Sequence, residues 1–141
     1  MQEREDPTDL KAVRLASEKA FAMAGATPAD VDVAELHDAF TILEIAESEA
    51  SGFFPRGEAH RAIERGETKL DGRLPINPSG GLKAKGHPVG ATGVAQLVEL
   101  VWQLRGEADA RQIQDAKVAY ACNFGGFGNN VVATVLRREA A

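Results

Sequence analysis

Residues 77–93 read Asn-Pro-Ser-Gly-Gly-Leu-Lys-Ala-Lys-Gly-His-Pro-Val-Gly-Ala-Thr-Gly. The five glycines and two prolines of this segment allow its backbone to approach a neighbouring group closely. Apolar residues then recur at helical spacing as far as the stop signal of Gly106; they are Val94, Leu97, Val98, Val101 and Leu104. The sequence therefore predicts a glycine-rich loop that leads into the N-terminus of a buried helix.

The N-terminal region carries a second helix signal. Residues 6–9, Asp-Pro-Thr-Asp, supply a capping carboxylate and a proline at the first helical position. The helix should end at Gly25. Its predicted apolar face consists of Leu10, Val13, Ala16, Ala20, Met23 and Ala24. Residues 27–30, Thr-Pro-Ala-Asp, repeat the start signal for a short turn.

A strand and another helix follow. Residues 31–36 are mostly apolar and predict a strand that ends near His37. Residues 40–50 have helical spacing, with Leu43 and Ala46 on the apolar side and glutamates on the other. The polar pair His37 and Asp38 therefore lies where the strand ends.

The remaining elements are short. Residues 58–65 predict a helix, and residues 74–76 form a brief apolar run after a turn signal. Residues 117–122 and 131–136 predict two antiparallel strands, separated by the glycine-containing loop 123–130. This order of helices and strands predicts a mixed α/β fold.

The bulk composition limits the classes of function. The 141 residues fit one domain spanning 1–141, and the net charge of -5 argues against a nucleic-acid partner. No stretch approaches the roughly 20 apolar residues of a membrane helix. Cys122, the single cysteine, cannot form an internal disulfide, and the charged N-terminus does not resemble a secretory signal. We therefore expect a cytoplasmic protein.

Three residues with useful chemistry lie at or beside the ends of predicted elements, where sites are commonly built; they are His37, His87 and Cys122. His87 lies between Gly86 and Pro88, so its ring should be held in one direction, and a fixed imidazole can take a proton from a thiol. His37 ends the predicted strand. His60 lies among charged residues and is interpreted as a surface side chain.

Cys122 allows two interpretations from the residues alone. A single cysteine at a strand end is commonly a small buried core residue. The glycine-rich loop 123–128 next to it could also present backbone N–H groups to an oxyanion, with the thiol as an acid or base. Neither glycine-rich segment has the Gly-Lys-Ser/Thr ending of a phosphate loop, so a nucleotide is not expected.

Three blocks, in order, resemble the thiolase family. Residues 86–93 resemble the thiolase signature, residues 35–40 resemble its Asn-Glu-Ala-Phe block, and residues 122–128 resemble its Cys-x-Gly-Gly-Gly-x-Gly block. The His-Asp form of the second block is similar to the archaeal and sterol-carrier-type branch. The resemblance implies the C-terminal half of the thiolase fold, a βαβαβαββ-like mixed sheet with helices.

The resemblance also implies residue roles. The missing N-terminal half would supply the acylated cysteine and much of the coenzyme A contact. His87 would activate that cysteine and, with His37, hold the thioester oxygen, while Cys122 would be the acid and base. The remaining implied contacts are the backbone N–H groups of Phe124 and Gly125 to a second oxyanion, and Phe40 and Gly86 to the substrate.

The resemblance further implies an oligomer that contains an N-terminal-half thiolase chain. It implies no metal and no cofactor, because coenzyme A enters as the thioester substrate.

The chain departs from the family pattern at three places. Phe124 replaces the first glycine after Cys-x, and Ala39 stands where the sterol-carrier-type branch often has its acid–base cysteine. The family's first strand has no counterpart, because only five residues precede Asp6. Either a partner supplies that strand or the sheet has an exposed edge.

Two functions other than an enzyme half remain open from the sequence. One is a non-catalytic scaffolding subunit that docks to acyl-CoA enzymes. The other is an acyl-CoA-binding module that acts alone. A scaffold needs none of His37, His87 and Cys122, so their joint presence favours the enzyme half.

Overall fold

The computed structural model describes residue 6, residues 8–126 and residues 128–139. Its helices and strands are α1 (Lys11–Ala24), β1 (Val33–Glu35), α2 (Thr41–Ala50), α3 (Ala59–Glu64), α4 (Gly81–Lys85), α5 (Thr92–Arg105), β2 (Val118–Gly125) and β3 (Asn130–Arg137). Short 3₁₀ helices span Pro28–Asp30 and Asp109–Arg111.

The sheet has the order β1-β2-β3 and is mixed. β1 pairs with β2 in parallel, and β2 pairs with β3 antiparallel. An isolated parallel bridge joins Ala34 to Ile76 on the far side of β1. The predicted mixed α/β fold and the predicted antiparallel pair at the C-terminus are confirmed.

Helices cover both faces of the sheet. On one face an aromatic cluster joins α1 to β2, where the Phe21 and Tyr120 rings stack with centroids 5.3 Å apart. On the other face Leu100 and Leu104 of α5 pack against Ala119 and the rest of a second buried cluster. The chain between the parallel strands β1 and β2 therefore includes a helix, α5, that packs on the sheet. Parallel strands require such a crossover connection.

The predicted apolar face of α1 is partly wrong. Met23 is 80% exposed, whereas Val13, Ser17 and Phe21 form the buried face. Phe21 enters the aromatic cluster, and the Ser17 hydroxyl lies 2.6 Å from the Tyr120 hydroxyl. Residues two positions apart point to nearly opposite sides of a helix, so burying Phe21 turns Met23 outward. The predicted stop at Gly25 is confirmed by its left-handed φ of 57°.

The predicted buried stripe of α5 is also wrong in part. Val94 is 63% exposed and Val98 is 40% exposed, while Gln96 and Gln103 are buried. The Gln96 side chain donates to the Cys122 carbonyl at 3.0 Å. Burying this amide satisfies a backbone carbonyl that the sheet leaves unpaired, and it turns the valines outward.

The glycine-rich segment 77–93 is only partly a loop, because it contains the short helix α4. Its exit into the N-terminus of α5 is as predicted. Among the described residues no strand precedes α1 and none pairs with the outer edge of β3. No described helix is long and apolar enough to cross a membrane.

Candidate active site

Buried carboxylates at the end of β1 anchor the glycine-rich segment. Glu35 accepts hydrogen bonds from the Ser79 N–H at 3.1 Å and from its hydroxyl at 2.8 Å. Asp38 accepts one from the Leu82 N–H at 2.7 Å. A Cβ added at Gly81 would lie 2.3 Å from Asp38, and Gly81 has a φ of +62°. The carboxylate can therefore approach α4 only because this residue is glycine.

Asn77 makes a second connection between the two segments. Its side-chain oxygen accepts from the Leu36 N–H at 2.7 Å, and its amide donates to Glu44 at 3.0 Å. The residue has a φ of 53°, a left-handed conformation that asparagine tolerates better than most residues. These bonds fix where segment 77–93 lies relative to the end of β1.

His87 is exposed and is held by Thr92. Its Nδ1 lies 2.7 Å from the Thr92 hydroxyl, and that hydroxyl donates to the Pro88 carbonyl at 3.1 Å. When the hydroxyl proton is directed to Pro88, the hydroxyl accepts from Nδ1–H. In that tautomer the neutral ring keeps its lone pair on Nε2, the form that a general base requires.

His37 lies beneath His87 and is 3% exposed. The two rings meet edge to face with centroids 4.8 Å apart, and the Phe124 ring lies 4.6 Å from His37. Burial lowers the pKa of His37, the nearby His87 lowers it further, and Asp38 opposes the shift. His37 is therefore a neutral side chain at physiological pH.

Cys122 is fully buried on the same face of β2 as Tyr120 and Phe124. Burial raises the pKa of its thiol, and the charge of Glu47 raises it further. Its enclosure is typical of a core cysteine. The acid–base role of Cys122 stays a prediction.

The backbone of β2 directs one N–H group toward the end of β1. The Val118 carbonyl accepts from the Asp32 N–H on the β1 side of the strand at 2.9 Å. Bonding groups alternate along a strand, so the Phe124 N–H points to the same side, beyond the last residue of β1. Gly125 instead pairs with Asn130 of β3.

The other predicted residues lie at the periphery. Phe40 is 68% exposed at the N-terminus of α2. Gly86 immediately precedes His87, and a Cβ there would contact none of the described residues within 4 Å. His60 is exposed on α3, consistent with a surface side chain.

Glu47 is a residue of this site that the sequence analysis missed. The prediction that the α2 glutamates face away from the core is wrong for Glu47, which is 0% exposed and accepts from the His37 N–H at 2.6 Å. Burial raises its pKa to about 8, while the hydrogen bond from the His37 N–H and the nearby Cys122 thiol act to lower it. Its position four residues after Leu43 puts it on the apolar face, and that spacing could have revealed it.

Glu35 is a second buried carboxyl that the sequence analysis missed. Burial raises its pKa to about 7, although Ser79 and Lys85 oppose the shift. Charged residues are rarely fully buried without a partner. The position of this glutamate within an otherwise apolar strand could have revealed its burial.

Comparison with known proteins identifies the family. Residues 1–138 match the family described as Thiolase C-terminal domain-like. The acetyl-CoA acetyltransferase of Methanothermobacter thermautotrophicus is 48% identical over 138 residues, and human sterol carrier protein 2 is 49% identical over 122 residues. The chain belongs to the thiolase C-terminal domain-like family. The predicted archaeal and sterol-carrier-type branch is confirmed.

The chain corresponds to only part of these relatives. The matches cover 98% and 86% of this chain but 36% and 22% of the archaeal and human proteins. A solved structure, the Ltp2-ChsH2(DUF35) aldolase, superimposes with a TM-score of 0.82 at 28% identity over 98% of this chain and 35% of that chain. The thiolase-type fold predicted for the chain is confirmed.

Proposed function

We propose that this chain is the C-terminal half of a thiolase, which forms or cleaves 3-ketoacyl-CoA by acyl transfer to or from coenzyme A. The observation that carries the proposal is the His37–His87 pair, in which an exposed imidazole held by Thr92 meets a buried neutral one, with ring centroids 4.8 Å apart. An N-terminal half supplies the nucleophilic cysteine. Coenzyme A takes part as substrate, and no further cofactor is required.

In the first step, Nε2 of His87 takes the proton of the nucleophilic thiol. The ring then carries an N–H on the side that faces the substrate. That N–H and the His37 ring donate hydrogen bonds to the thioester oxygen as negative charge develops on it. A buried neutral His37 serves here because it donates without competing for the proton.

Cys122 supplies the second acid–base function. In the synthetic direction it removes the α-proton of the bound acyl group, and in thiolysis it returns a proton to the leaving carbon. The Phe124 N–H, directed past the end of β1, provides a donor for the oxyanion on the acylated cysteine. We assign Phe40 and Gly86 to contacts with the substrate.

An exposed apolar surface beside His87 supports a partner. Val94, Val98 and Trp102 are 63%, 40% and 41% exposed on one side of α5, and Val89 is 84% exposed in the preceding turn. Contiguous apolar patches next to a site indicate an interaction surface. We assign this surface, the outer face of α5, to the N-terminal half of the thiolase, whose arrival also encloses His87.

The test is reconstitution of this chain with an N-terminal-half thiolase chain, followed by thiolysis of acetoacetyl-CoA. Activity in the wild-type complex, lost in His87→Ala and retained in His60→Ala, supports the proposal. His60 is the matched control because it is an exposed histidine outside the site. A complex that assembles but has no thiolysis or synthesis activity would overturn it.

A second candidate is a non-catalytic scaffolding or acyl-CoA-binding subunit. The complete burial of Cys122 and the raised pKa of its thiol favour this alternative. It predicts that the complex forms and binds acyl-CoA equally well in wild type and His87→Ala, with no turnover in either. The same reconstitution separates the two functions.

A further inference from the structure

Glu47 occupies a position that packing alone does not explain. Its carboxyl is fully buried, one oxygen accepts from the His37 N–H at 2.6 Å, and the carboxyl lies beside the Cys122 thiol. The other oxygen, Oε1, has no hydrogen-bond partner in the part of the chain that the structure describes. Burying a carboxyl with an unsatisfied oxygen is costly, so a purely structural role would be better met by an apolar residue.

We propose that Glu47 is a positioning residue that exchanges a proton with Cys122 and thereby sets whether this thiol is a neutral acid or a thiolate. The inference rests on the proposed thiolase function. It adds a positioning residue to that site. Glu47 acts through Cys122 and not directly on the substrate.

The exchange conserves atoms and charge. With Glu47 ionised, the Cys122 thiol keeps its proton, because a carboxylate beside it disfavours a second negative charge. Transfer of that proton from Sγ to the Glu47 carboxylate gives a thiolate next to a neutral carboxyl, whose new O–H can donate to the sulfur. The thiolate then accepts the substrate's α-proton, and the negative charge moves to the enolate oxygen.

The surroundings bring the ionisation of Glu47 close to neutral pH. The acidic groups that face it are Asp38 after β1, Glu44 one turn earlier on α2, and Cys122 on β2, with Tyr120 next to that cysteine. His37 contributes its backbone N–H and carries no charge when neutral. With no cation among these groups, the carboxyl is held where it can give or take a proton near neutral pH.

The chain is well suited to a direct test, because Cys122 is its single cysteine. Labelling cysteine with ¹³C at Cβ gives one resonance, whose chemical shift reports the state of the thiol and its neighbour. In Glu47→Gln the side-chain oxygen can still accept from His37, but no proton can be exchanged. Glu49→Gln is the matched control, since Glu49 lies on the same helix and binds the Gly57 and Ala59 N–H groups.

We expect the Cys122 resonance to show an inflection near pH 8, the pKa to which burial raises Glu47. Wild type and Glu49→Gln should show it, and Glu47→Gln should not. If Glu47→Gln folds poorly, Glu47→Asp serves as the second variant. It keeps an ionisable carboxyl on a shorter side chain, so the Cys122 resonance should show an inflection at a displaced pH. The same inflection in Glu47→Gln, or none in wild type, overturns the proposal.

Activity gives a second readout. In the reconstituted complex, Glu47→Gln should lower kcat about 100-fold, the scale of lost acid–base assistance, with little change in KM and a displaced pH profile. A complex that is inactive in wild type refutes the thiolase function, while the resonance still decides whether Glu47 and Cys122 share a proton. An active Glu47→Gln complex with an unchanged pH profile refutes the role of Glu47 alone.

Discussion

The rings of His37 and His87 meet edge to face, with centroids 4.8 Å apart and planes 87° apart. One ring comes from the end of β1 and is buried, and the other comes from segment 77–93 and is exposed. Two cations at this distance would repel each other. Because the pKa of His37 is lowered by burial and then by His87, His37 stays neutral in this pair.

The orientation of His87 depends on Thr92, which makes Thr92→Val informative. The change keeps the side-chain shape but removes the hydroxyl that lies 2.7 Å from Nδ1. A misdirected base can cost about 100-fold in rate, so we expect kcat for thiolysis by the reconstituted complex to fall on that scale. Thr92→Ser keeps the hydroxyl and should retain activity. Full activity in Thr92→Val would show that another contact orients the ring.

Gly81 tests the anchoring of segment 77–93. In Gly81→Ala the new Cβ would lie 2.3 Å from the Asp38 carboxylate at a φ of +62°. The clash and the left-handed backbone should lower the free energy of unfolding by about 2 kcal/mol or more. Gly90→Ala is the control, because a Cβ there meets no atom within 4 Å in the part of the chain that the structure describes. Urea unfolding measures both, and equal stabilities would contradict the close approach.

The features that could be predicted from the sequence are those that local signals determine. The strand before His37, the stop at Gly25 and the antiparallel C-terminal pair follow from alternation and from glycine, and the structure has them. The burial of Gln96 in place of Val94 could not be predicted, since periodicity alone does not distinguish a core face from an interface face. Glu47 was missed because its reason for burial, the His37 N–H, belongs to another element.

Glu47 should make stability depend on pH. Its pKa is raised to about 8 in the folded chain from an ordinary value of 4.5, so between these values the folded state binds more protons than the unfolded state. The free energy of unfolding therefore falls as pH rises across this window, by at most about 1.4 kcal/mol per pH unit from this group. Below pH 4.5 Glu47 no longer makes the free energy of unfolding depend on pH.

Glu47→Gln removes this ionisation. Relative to wild type, the free energy of unfolding of the variant should therefore be higher at pH 8.5 than at pH 5, by roughly a few kcal/mol. Urea unfolding of wild type and variant at both pH values measures the difference. Glu35, whose pKa burial raises to about 7, is present in both proteins and cancels. Glu49→Gln should show no such pH-dependent gain. A difference that is constant with pH would mean that Glu47 is ionised in the folded chain.

The outer face of α5 should control assembly with the N-terminal half. Trp102 is 41% exposed in the chain, so Trp102→Glu should cost little folding stability, yet a carboxylate inside an apolar interface is expensive to bury. Met23→Glu is the matched control, because Met23 is an apolar residue 80% exposed on α1, which packs on the opposite face of the sheet.

The measurement is the dissociation constant for the N-terminal-half chain, with circular dichroism confirming that each variant is folded. Loss of a central aromatic anchor costs about 2 kcal/mol or more, which is roughly 30-fold in affinity. We expect that weakening in Trp102→Glu and no change in Met23→Glu. Equal affinities would show that the N-terminal half does not bind the outer face of α5. The exposed His87 would then lack the covering partner that the proposed chemistry requires.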